Sequence, residues 1–415
     1  MADVDLLIRG AEPIDVAIDD GRIAAVGPEL AVSARETVDA GGLRVLPGAV
    51  DAHVHFNDPG RADWEGWATG TAAAAAGGTT CVIDMPLNAH PPTVDAAAFR
   101  LKVAAAEAAA LTDFALWGGL VPGNVSRLAE LAELGVVGFK AFMAPSGIED
   151  FEAVDDETLA AGMTEAARLA LPVAVHAEDP ALLGAPGGGW HEYAASRPVA
   201  AELAAIARAI ALADETGCSL HVVHVSSARG IRLVTEARAR GVDVTCETCP
   251  HYLVLDEGDL ERLGAVAKCA PPLRSRAEVD DLRAEVERGA VDLLASDHSP
   301  APPAMKEGGP FAAWGGISGC QSLVELTLTE GFDHALVSER PAARFRLRGK
   351  GRLEPGADGD VVLVDPGEWE LGAADLRYRH RHSPYVGRRL RVRVVRAWLR
   401  GRPVGEQRGR LARVA

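Results

Sequence analysis

Five side chains that can bind a metal ion follow directly on apolar segments of this sequence. They are His53 and His55 in GAVDAHVHF, His176 in LPVAVHAE, His224 in HVVHVSS and Asp297 in VDLLASDHS. His53 and His55 are separated by one residue, which places them on the same face of an extended strand. Imidazole and carboxylate groups are ligands that suit zinc and related divalent metals. The pattern therefore predicts a metal centre where the ends of several strands meet.

A lysine interrupts another apolar segment, GVVGFKAFMAPSG at residues 135–147. Apolar residues such as Val136 and Phe139 would fill both faces of a strand, as in a parallel sheet that is covered on each side. Lys140 would then be buried, and a buried ammonium group is costly unless it is paired or loses its charge. Together with the five metal-binding candidates, this lysine favours a functional site.

The strands that carry these residues alternate with helices through the middle of the chain. Eight candidate strands occur, in the order LRVLPGAVDAHVHF, GGTTCVIDMP, DFALWGGL, GVVGFKAFM, LPVAVHAE, SLHVVHVSS, VDVTCETCPHY and VDLLASDHS. Helical segments lie between most of them, such as SRAEVDDLRAEVERG, in which Ser275 is a candidate N-cap and Gly289 a candidate end. This alternation predicts a (β/α)₈ TIM-like barrel, with an open doubly wound sheet as the alternative. In a parallel barrel the metal-binding candidates would lie at the C-terminal rim, where active sites are built.

Both ends of the chain carry short β segments. VDLLIRG and PIDVAIDDGRIAAVG, with a hairpin turn at Asp20-Gly21, lie near the start, and GDVVLVDPGE and RVRVVRAWLRGRPVG lie near the end. We expect these segments to pair into one small β-sandwich domain. The predicted division assigns residues 1–46 and 346–415 to the two parts of this domain and residues 47–345 to the barrel.

The composition argues against several classes of function. The chain has 415 residues and a formal net charge of −17, which argues against nucleic acid or an anionic membrane surface as a partner. Asp3 and Asp5 stand where a secretory signal would need basic and apolar residues, and no apolar stretch approaches the ~20 residues of a membrane span. The six cysteines are scattered along the chain, which is typical of a reduced cytoplasmic enzyme.

Structural roles compete with the metal interpretation at single positions. One histidine at a strand end is more often structural, and an HxH pair alone is weak support for a metal, so the prediction rests on the convergence of all the candidates. We expect His221 to point away from the site, and His191 and His298 are candidates for outer positions around it. Cys246 and Cys249 form a CxxC without a second pair or a following helix, which argues against a redox site.

Long motifs in this sequence resemble those of the allantoinases. The matching segments extend from the first barrel strand almost to the end of the chain and are DAHVHFNDPGRADWEGWATGT, DMPLN, GFKAFMAPSG, CETCPHYLVLDEGDL, AKCAPPLR, SDHSPAPPAMK, WGGISG and HSPYVGR. Allantoinases belong, with dihydroorotases and hydantoinases, to the cyclic-amidase branch of the amidohydrolase superfamily. The region 320–345 looks shorter than the final helical region that is usual in this family.

The resemblance implies a centre of two divalent metal ions that share a modified lysine. Six positions are carried over as ligands: His53, His55, Lys140, His176, His224 and Asp297. The HxH pair and the aspartate would hold one metal, and the other two histidines would hold the second. The lysine would bridge both metals as N6-carboxylysine, a carbamate formed with carbon dioxide. Zinc is the expected metal, although cobalt, manganese, iron and nickel also tolerate such ligands.

Local substitutions separate this chain from the other members of the branch. Dihydroorotases use an arginine and a later histidine to hold a substrate carboxylate, and this chain has Asn57 and Ala301 at those positions. Hydantoinases have a tyrosine five residues after the modified lysine, where this chain has Pro145. The motif MPLN also differs from the MPNT of dihydroorotases and moves the asparagine to Asn88.

The resemblance therefore implies hydrolysis of the cyclic amide of allantoin to allantoate, a step of purine and ureide catabolism. Asp297 would act first as a base and then as an acid. Asn88, Ser299 and Gly316 are candidates for substrate binding, with loop or turn roles as the alternative.

The expected partner is a small-molecule substrate, and the expected assembly is a cytoplasmic homotetramer, because relatives commonly form homotetramers. A hydantoinase or a dihydropyrimidinase-like cyclic ureidase is the alternative enzyme. A non-enzymatic assembly paralogue is disfavoured, because all six ligand positions are filled.

Overall fold

The structure, a computed structural model, describes residues 3–412 and residue 414; the other residues of the predicted terminal segments lie outside the described residues. The strands, β1 to β19 in chain order, are Val4–Arg9, Asp15–Asp19, Arg22–Gly27, Ala34–Asp39, Arg44–Pro47, Ala49–Val54, Thr79–Asp84, Asp113–Leu116, Gly118–Gly119, Phe139–Phe142, Val173–His176, Leu220–Val222, Val244–Thr248, Leu293–Leu294, Val361–Asp365, Trp369–Glu370, Arg389–Leu390, Arg393–Leu399 and Arg402–Pro403. The α-helices, α1 to α12, are Trp67–Ala76, Ala96–Ala109, Leu128–Leu134, Asp156–Arg168, Trp190–Ala195, Val199–Thr216, Ala228–Ala239, Pro250–Val254, Glu257–Leu263, Arg276–Glu287, Leu323–Thr329 and Glu339–Arg344.

A barrel of parallel strands forms the centre of the fold. β6, β7 and β8 pair in parallel, and β9 to β14 form a second run of parallel strands. Trp117 alone separates β8 from β9, so the two act as one barrel strand. The segment after β14 pairs with the end of β6, where the His55 N–H donates to the His298 carbonyl oxygen at 2.7 Å. Helices lie between these strands along the chain, which confirms the predicted barrel and not the open sheet.

The barrel strands are buried on both faces. In β7, Cys81 and Ile83 belong to the core that fills the barrel, whereas Val82 belongs to the core between the strands and the helices. This alternation follows the period of two of a β-strand. Burial on both faces explains why the strands appear in the sequence as continuous apolar segments.

Polar caps and glycines set the ends of several helices. Asp155 accepts a hydrogen bond from the Thr158 N–H at 2.8 Å at the start of α4. Ser275 accepts one from the Glu278 N–H at 3.4 Å at the start of α10, so the predicted cap is formed. Gly289 follows α10 with a φ of 75°, a left-handed conformation that favours glycine.

Both ends of the chain contribute to a small β-sandwich. One sheet has the strand order β3-β2-β1-β4, and the other has the order β19-β18-β15-β5, which joins an N-terminal strand to three C-terminal ones. Buried residues of both sheets, including Ile8, Val16 and Trp398, share one core. The hairpin between β2 and β3 turns at Asp20-Gly21, as the sequence predicts. The sandwich confirms the second part of the predicted fold, while the numerical domain boundaries stay a prediction.

Most helices of the described chain are short. α6 has 18 residues, and α11 and α12, in the region 320–345, have seven and six. Among the residues that the structure describes, no helix is both long and apolar enough to cross a membrane.

Candidate metal centre

The six predicted ligands come together at the C-terminal rim of the barrel. All of them lie on a barrel strand or within three residues after one: His53, His55, Lys140, His176, His224 and Asp297. The four histidines and the aspartate line a cavity of about 370 Å³. The lysine is fully buried at the same rim.

Two histidines and an aspartate form the first group of candidate ligands. Nε2 of His53 and Nε2 of His55 lie 3.3 Å and 3.4 Å from Oδ1 of Asp297. His55 Nδ1 lies 2.8 Å from the Leu87 carbonyl oxygen, so it can donate there while Nε2 faces the site. Burial would raise the pKa of Asp297, but the two histidines outweigh it and hold the pKa below its ordinary value. The carboxylate is therefore anionic, and the three atoms are close enough to hold one metal ion.

Two further histidines form the second group. Nδ1 of His176 and Nε2 of His224 are 3.1 Å apart. Burial, the largest cause, lowers the pKa of both imidazoles below its ordinary value, and nearby Lys140 lowers both further. A neutral imidazole has a free lone pair for a metal, so this pair is suited to hold a second ion.

A buried glutamate that was not predicted from the sequence orients the first group. Oε1 of Glu247, on β13, lies 2.6 Å from His53 Nδ1, and its Oε2 lies 3.1 Å from His221 Nε2. With Nδ1–H donating to the carboxylate, His53 presents Nε2 to the site. Such carboxylate–histidine pairs fix the tautomer and the ring orientation of metal ligands.

A second unpredicted glutamate does the same for the other group. Oε2 of Glu178 lies 2.8 Å from His176 Nε2, which leaves Nδ1 free for the site. Arg197, in the cavity wall, donates to both carboxylate oxygens of this glutamate. Both glutamates are acidic residues within, or just after, an apolar strand. The signal that singles out Lys140, an ionisable residue in an apolar strand, therefore also indicates these two glutamates.

Lys140 has an amine without a partner. The side chain is 0% exposed, and Nζ has no hydrogen-bond partner among the described residues. Burial lowers its pKa to about 7, although Glu247 and Asp297 nearby act in the opposite direction. A buried amine that is partly neutral can react with carbon dioxide, and the resulting carbamate would supply the anionic oxygens that two metal ions need. The orphaned amine and the two ligand groups therefore fit a binuclear centre.

Two of the candidate ligands have an unusual backbone conformation. His224 has a φ of 41° and Asp297 a φ of 45°. Both values lie in the left-handed region, which residues other than glycine rarely adopt. Such conformations are retained mostly at functional sites, where the surrounding structure enforces them. Here they direct the imidazole and the carboxylate into the cavity.

The three predicted substrate-binding positions line the cavity. Asn88, Ser299 and Gly316 are all part of its wall. Asn88 Nδ2 donates to Asn57 Oδ1 at 3.3 Å, so the residue that replaces the arginine of dihydroorotases supports the wall. A Cβ at Gly316 would lie 2.1 Å from the Ser299 carbonyl oxygen, so close packing alone requires glycine at this position. Ala301 is fully buried and offers no polar group.

The other histidines and the CxxC lie outside the ligand groups. His221 is buried, stacks on Trp117 at 6.5 Å and contacts Glu247 with its Nε2 at 3.1 Å. His298 is buried and accepts a hydrogen bond from the Gly319 N–H, whereas the His191 side chain is 68% exposed. The cysteines of the CxxC are buried free thiols.

Several residues of the cavity wall were not predicted from the sequence. One lies on α5 and four lie in irregular loops; they are Tyr193, Arg197, Lys268, Phe311 and Trp314. Trp314 packs edge-on against Trp64 at 5.1 Å between ring centres. Together they give the cavity two cationic and three aromatic side chains.

Comparison with known proteins decides the family. A model of the amidohydrolase family matches residues 44–404 of this chain. The chain belongs to the amidohydrolase family. This amidohydrolase is 57% identical to an allantoinase of Rubrobacter xylanophilus, over 98% of this chain and 95% of the relative. It is 44% identical to an allantoinase of Escherichia coli O1:K1, over 95% of this chain and 92% of the relative.

Solved structures of amidohydrolase relatives have the same fold. An L-hydantoinase (dihydropyrimidinase) from Arthrobacter aurescens matches with a TM-score of 0.93 and 34% identity, over 98% of this chain and 97% of the other. A dihydropyrimidinase from Brevibacillus agri matches with a TM-score of 0.88 and 28% identity, over 99% and 95%. Family membership implies a metal-dependent hydrolase with a binuclear site, and the two ligand groups are the candidates for it.

Proposed function

We propose that this protein hydrolyses the cyclic amide bond of allantoin to give allantoate, a reaction of purine and ureide catabolism. The observation that carries the proposal is the buried, unpaired amine of Lys140 beside two groups of metal-binding side chains. Relatives that are 57% and 44% identical over nearly the whole chain are allantoinases, which supports allantoin as the substrate. The wider amidohydrolase fold supports the reaction type.

The metal centre that we propose uses all six candidate ligands. His53, His55 and Asp297 would hold one divalent ion, and His176 and His224 would hold the other. The lysine would be N6-carboxylysine, formed with carbon dioxide, and would give both ions an anionic ligand. We propose zinc as the metal, because imidazole nitrogen and carboxylate oxygen suit it. Bound here, the ions would supply Lewis acidity toward the amide carbonyl and a water of lowered pKa.

Asp297 is the residue that moves the proton. In the cavity its carboxylate accepts a proton from the attacking water as the new C–O bond forms. It then donates this proton to the ring nitrogen as the C–N bond breaks, so that the ring opens to a carboxylic acid and a free ureido group; the acid loses its own proton to solvent and becomes a carboxylate. Contacts with His53 and His55 hold the carboxylate in place for both steps.

The part of the cavity wall that contains Asn88, Ser299 and Gly316 suits a neutral polar substrate. We propose that Asn88, Ser299 and backbone groups near Gly316 orient the ring through hydrogen bonds. Asn57 and Ala301 provide no cation for a ring carboxylate, which distinguishes the site from that of a dihydroorotase. The likeness to an L-hydantoinase structure keeps hydantoin-type rings as the second candidate.

One assay tests this proposal. Allantoin, hydantoin, dihydrouracil and dihydroorotate are compared as substrates of the same metal-loaded preparation. We expect allantoin to have the highest kcat/KM. Dihydroorotate should have the lowest, because a missing charge-assisted contact costs ~1.5–3 kcal/mol, or about tenfold or more. Faster hydrolysis of hydantoin would favour the second candidate, and equal rates for dihydroorotate and allantoin would contradict the substrate assignment.

We also propose a homotetramer located in the cytoplasm. The resemblance to allantoinases supports the tetramer, and six buried free thiols support a reducing compartment. Light scattering of the purified protein measures the mass of the assembly, for which a monomeric mass would be the contrary result.

A further inference from the structure

The lysines of this chain occupy a small set of interior positions. Only five of its 42 lysine and arginine residues are lysines. Four of the five are buried and the fifth is partly buried: Lys102, Lys140, Lys268, Lys306 and Lys350. Arginines supply the exposed positive charge. A lysine offers a compact ammonium group that the planar fork of arginine cannot replace, so each of these positions is expected to need one.

Three of the five lysines already have an explanation. Lys102 pairs with Asp84 at 2.6 Å, Lys350 pairs with three aspartates, and Lys140 belongs to the candidate metal centre. The remaining two, Lys268 and Lys306, both contact the segment 313–316 of the cavity wall.

Lys306 is a fixed part of that wall. Its Nζ donates to the carbonyl oxygens of Gly316 at 2.6 Å, Trp314 at 3.1 Å and Ala265 at 3.3 Å. An ammonium group has three N–H bonds, so all of its donors are used within the protein. Lys306 therefore holds the wall in place and has no donor left for a ligand.

Lys268 differs because its donors are not all used. Its Nζ donates to the Ala313 carbonyl oxygen at 2.5 Å and lies 4.8 Å above the ring of Tyr193. Among the described residues, no carboxylate lies within salt-bridge distance of it, although the chain carries a net charge of −17. The residue lines the cavity, so up to two N–H bonds are available to a bound molecule.

We propose that Lys268 is a specificity residue that donates a hydrogen bond to the carbonyl oxygen of the ureido substituent on the substrate ring. This inference rests on the proposed function. The ring amide must lie at the metal-ligand groups in order to react, so the substituent is the part that meets the remaining wall. Its carbonyl oxygen is a good acceptor for an ammonium group without a carboxylate partner. Plain hydantoin has the same ring and lacks this acceptor.

The test compares two constants measured in one assay of allantoin hydrolysis. These are the KM of allantoin and the inhibition constant of unsubstituted hydantoin. In the metal-loaded variant Lys268→Met, we expect the KM to rise about tenfold or more, because a charged hydrogen bond is lost. The inhibition constant of hydantoin should change by less than about twofold, because the ring contacts remain. Metal content should equal that of the wild type.

Lys306→Met is the matched control from the same wall. It should weaken the binding of allantoin and of hydantoin by similar factors, because it releases the backbone of the wall that contacts the ring common to both compounds. Lys268→Gln, which keeps a neutral donor, should lie between the wild type and Lys268→Met and serves as the second variant if Lys268→Met does not fold. Equal changes in both constants for the Lys268 variants, or no change in either, would overturn the inference. A wild type that does not open allantoin would instead contradict the proposed function.

Discussion

Two fully buried lysines of this protein have opposite surroundings. Lys350 donates hydrogen bonds to Asp113 at 2.5 Å and to Asp360 at 2.8 Å, and it forms an ion pair with Asp358 at 2.9 Å. Burial alone would lower its pKa, but the three carboxylates outweigh burial and raise it. Lys140 is equally buried, has no hydrogen-bond partner among the described residues, and has its pKa lowered to about 7.

The difference shows that the partners of a buried amine, and not its burial, decide what it does. Around Lys350, three aspartates come close enough together to hold a metal ion, and the lysine takes that place. Arg400 also donates to Asp113. Lys140 lies near Glu247 and Asp297 and near the imidazoles of His176 and His224, but none of them accepts a hydrogen bond from its amine. The first site is an ionic cluster of paired side chains, and the second is where we propose two metal ions and a modified amine.

The largest effect is expected when the amine of Lys140 is removed. Lys140→Ala should lose metal and activity together, because both ions would lose the anionic ligand that we propose they share. The loss of activity should exceed the roughly 10–100-fold loss that follows removal of a residue hydrogen-bonded to a metal ligand. Metal analysis and the allantoin assay measure it. Added acetate or propionate should restore part of the activity by placing a carboxylate in the vacated space, whereas full activity in the untreated variant would contradict the assignment.

Removal of the other buried lysine should affect stability instead of metal binding. Lys350→Met removes the cation that three buried carboxylates share, although Asp113 and Asp358 keep arginine partners. Breaking a buried pair costs about 3–5 kcal/mol of folding free energy. The midpoint of thermal unfolding should fall well below that of the wild type. The metal content of the chains that fold should be unchanged. A loss of metal at normal stability would show that the two sites are not independent.

Asp297→Asn separates metal binding from proton transfer. The amide oxygen can still bind a metal ion, but the side chain can no longer accept and return a proton. We expect part of the metal to be retained and kcat to fall by ~10²-fold or more. Asp113→Asn, in the ionic cluster, is the comparison variant and should change kcat little. A fully active Asp297→Asn enzyme would remove this residue from the mechanism.

Glu247→Gln tests the partner of His53. A glutamine side chain is neutral and has an NH2 group in place of one carboxylate oxygen, so it no longer fixes the tautomer of His53. The affinity for metal should therefore fall by about 10–100-fold. Competition with a chelator, monitored by metal content, measures this change. Glu325→Gln is a control at a buried carboxylate of α11 and should leave metal affinity unaltered.

The smallest effect is a dependence of stability on pH. Burial would raise the pKa of Asp113, but Lys350 and Arg400 outweigh it and lower the pKa below 3.8. A carboxyl with a lowered pKa in the folded state contributes stability above its ordinary pKa and loses it as the pH falls through the folded value. The gap in unfolding midpoint between the wild type and Lys350→Met should therefore shrink as the pH falls below 3.8, toward the lowered pKa of folded Asp113. A difference in unfolding midpoint that grows as the pH falls would contradict the stabilising role of this ionic cluster.

The sequence was sufficient to predict the barrel, the sandwich and the positions of the ligand candidates. Each candidate follows an apolar strand, and parallel strands bring their C-terminal ends to one rim, as the positions of His176 and His224 show. The pairing of Glu247 with His53 could not be assigned, because it depends on which side chains of different strands face each other. Glu178 lies only two residues after its partner His176, in an irregular segment without periodic spacing. Lys268 was missed because it lies in an irregular loop without periodic spacing.

The most direct test of the central claim is a crystal structure of the active, metal-loaded enzyme grown with bicarbonate. The density at Nζ of Lys140 and of Lys350 is compared in the same crystal, so that each lysine serves as the reference for the other. We expect additional density for a carboxyl group on Lys140, in contact with two metal ions, and a bare amine on Lys350. A bare Lys140 amine in a fully active, metal-loaded enzyme would contradict this expectation.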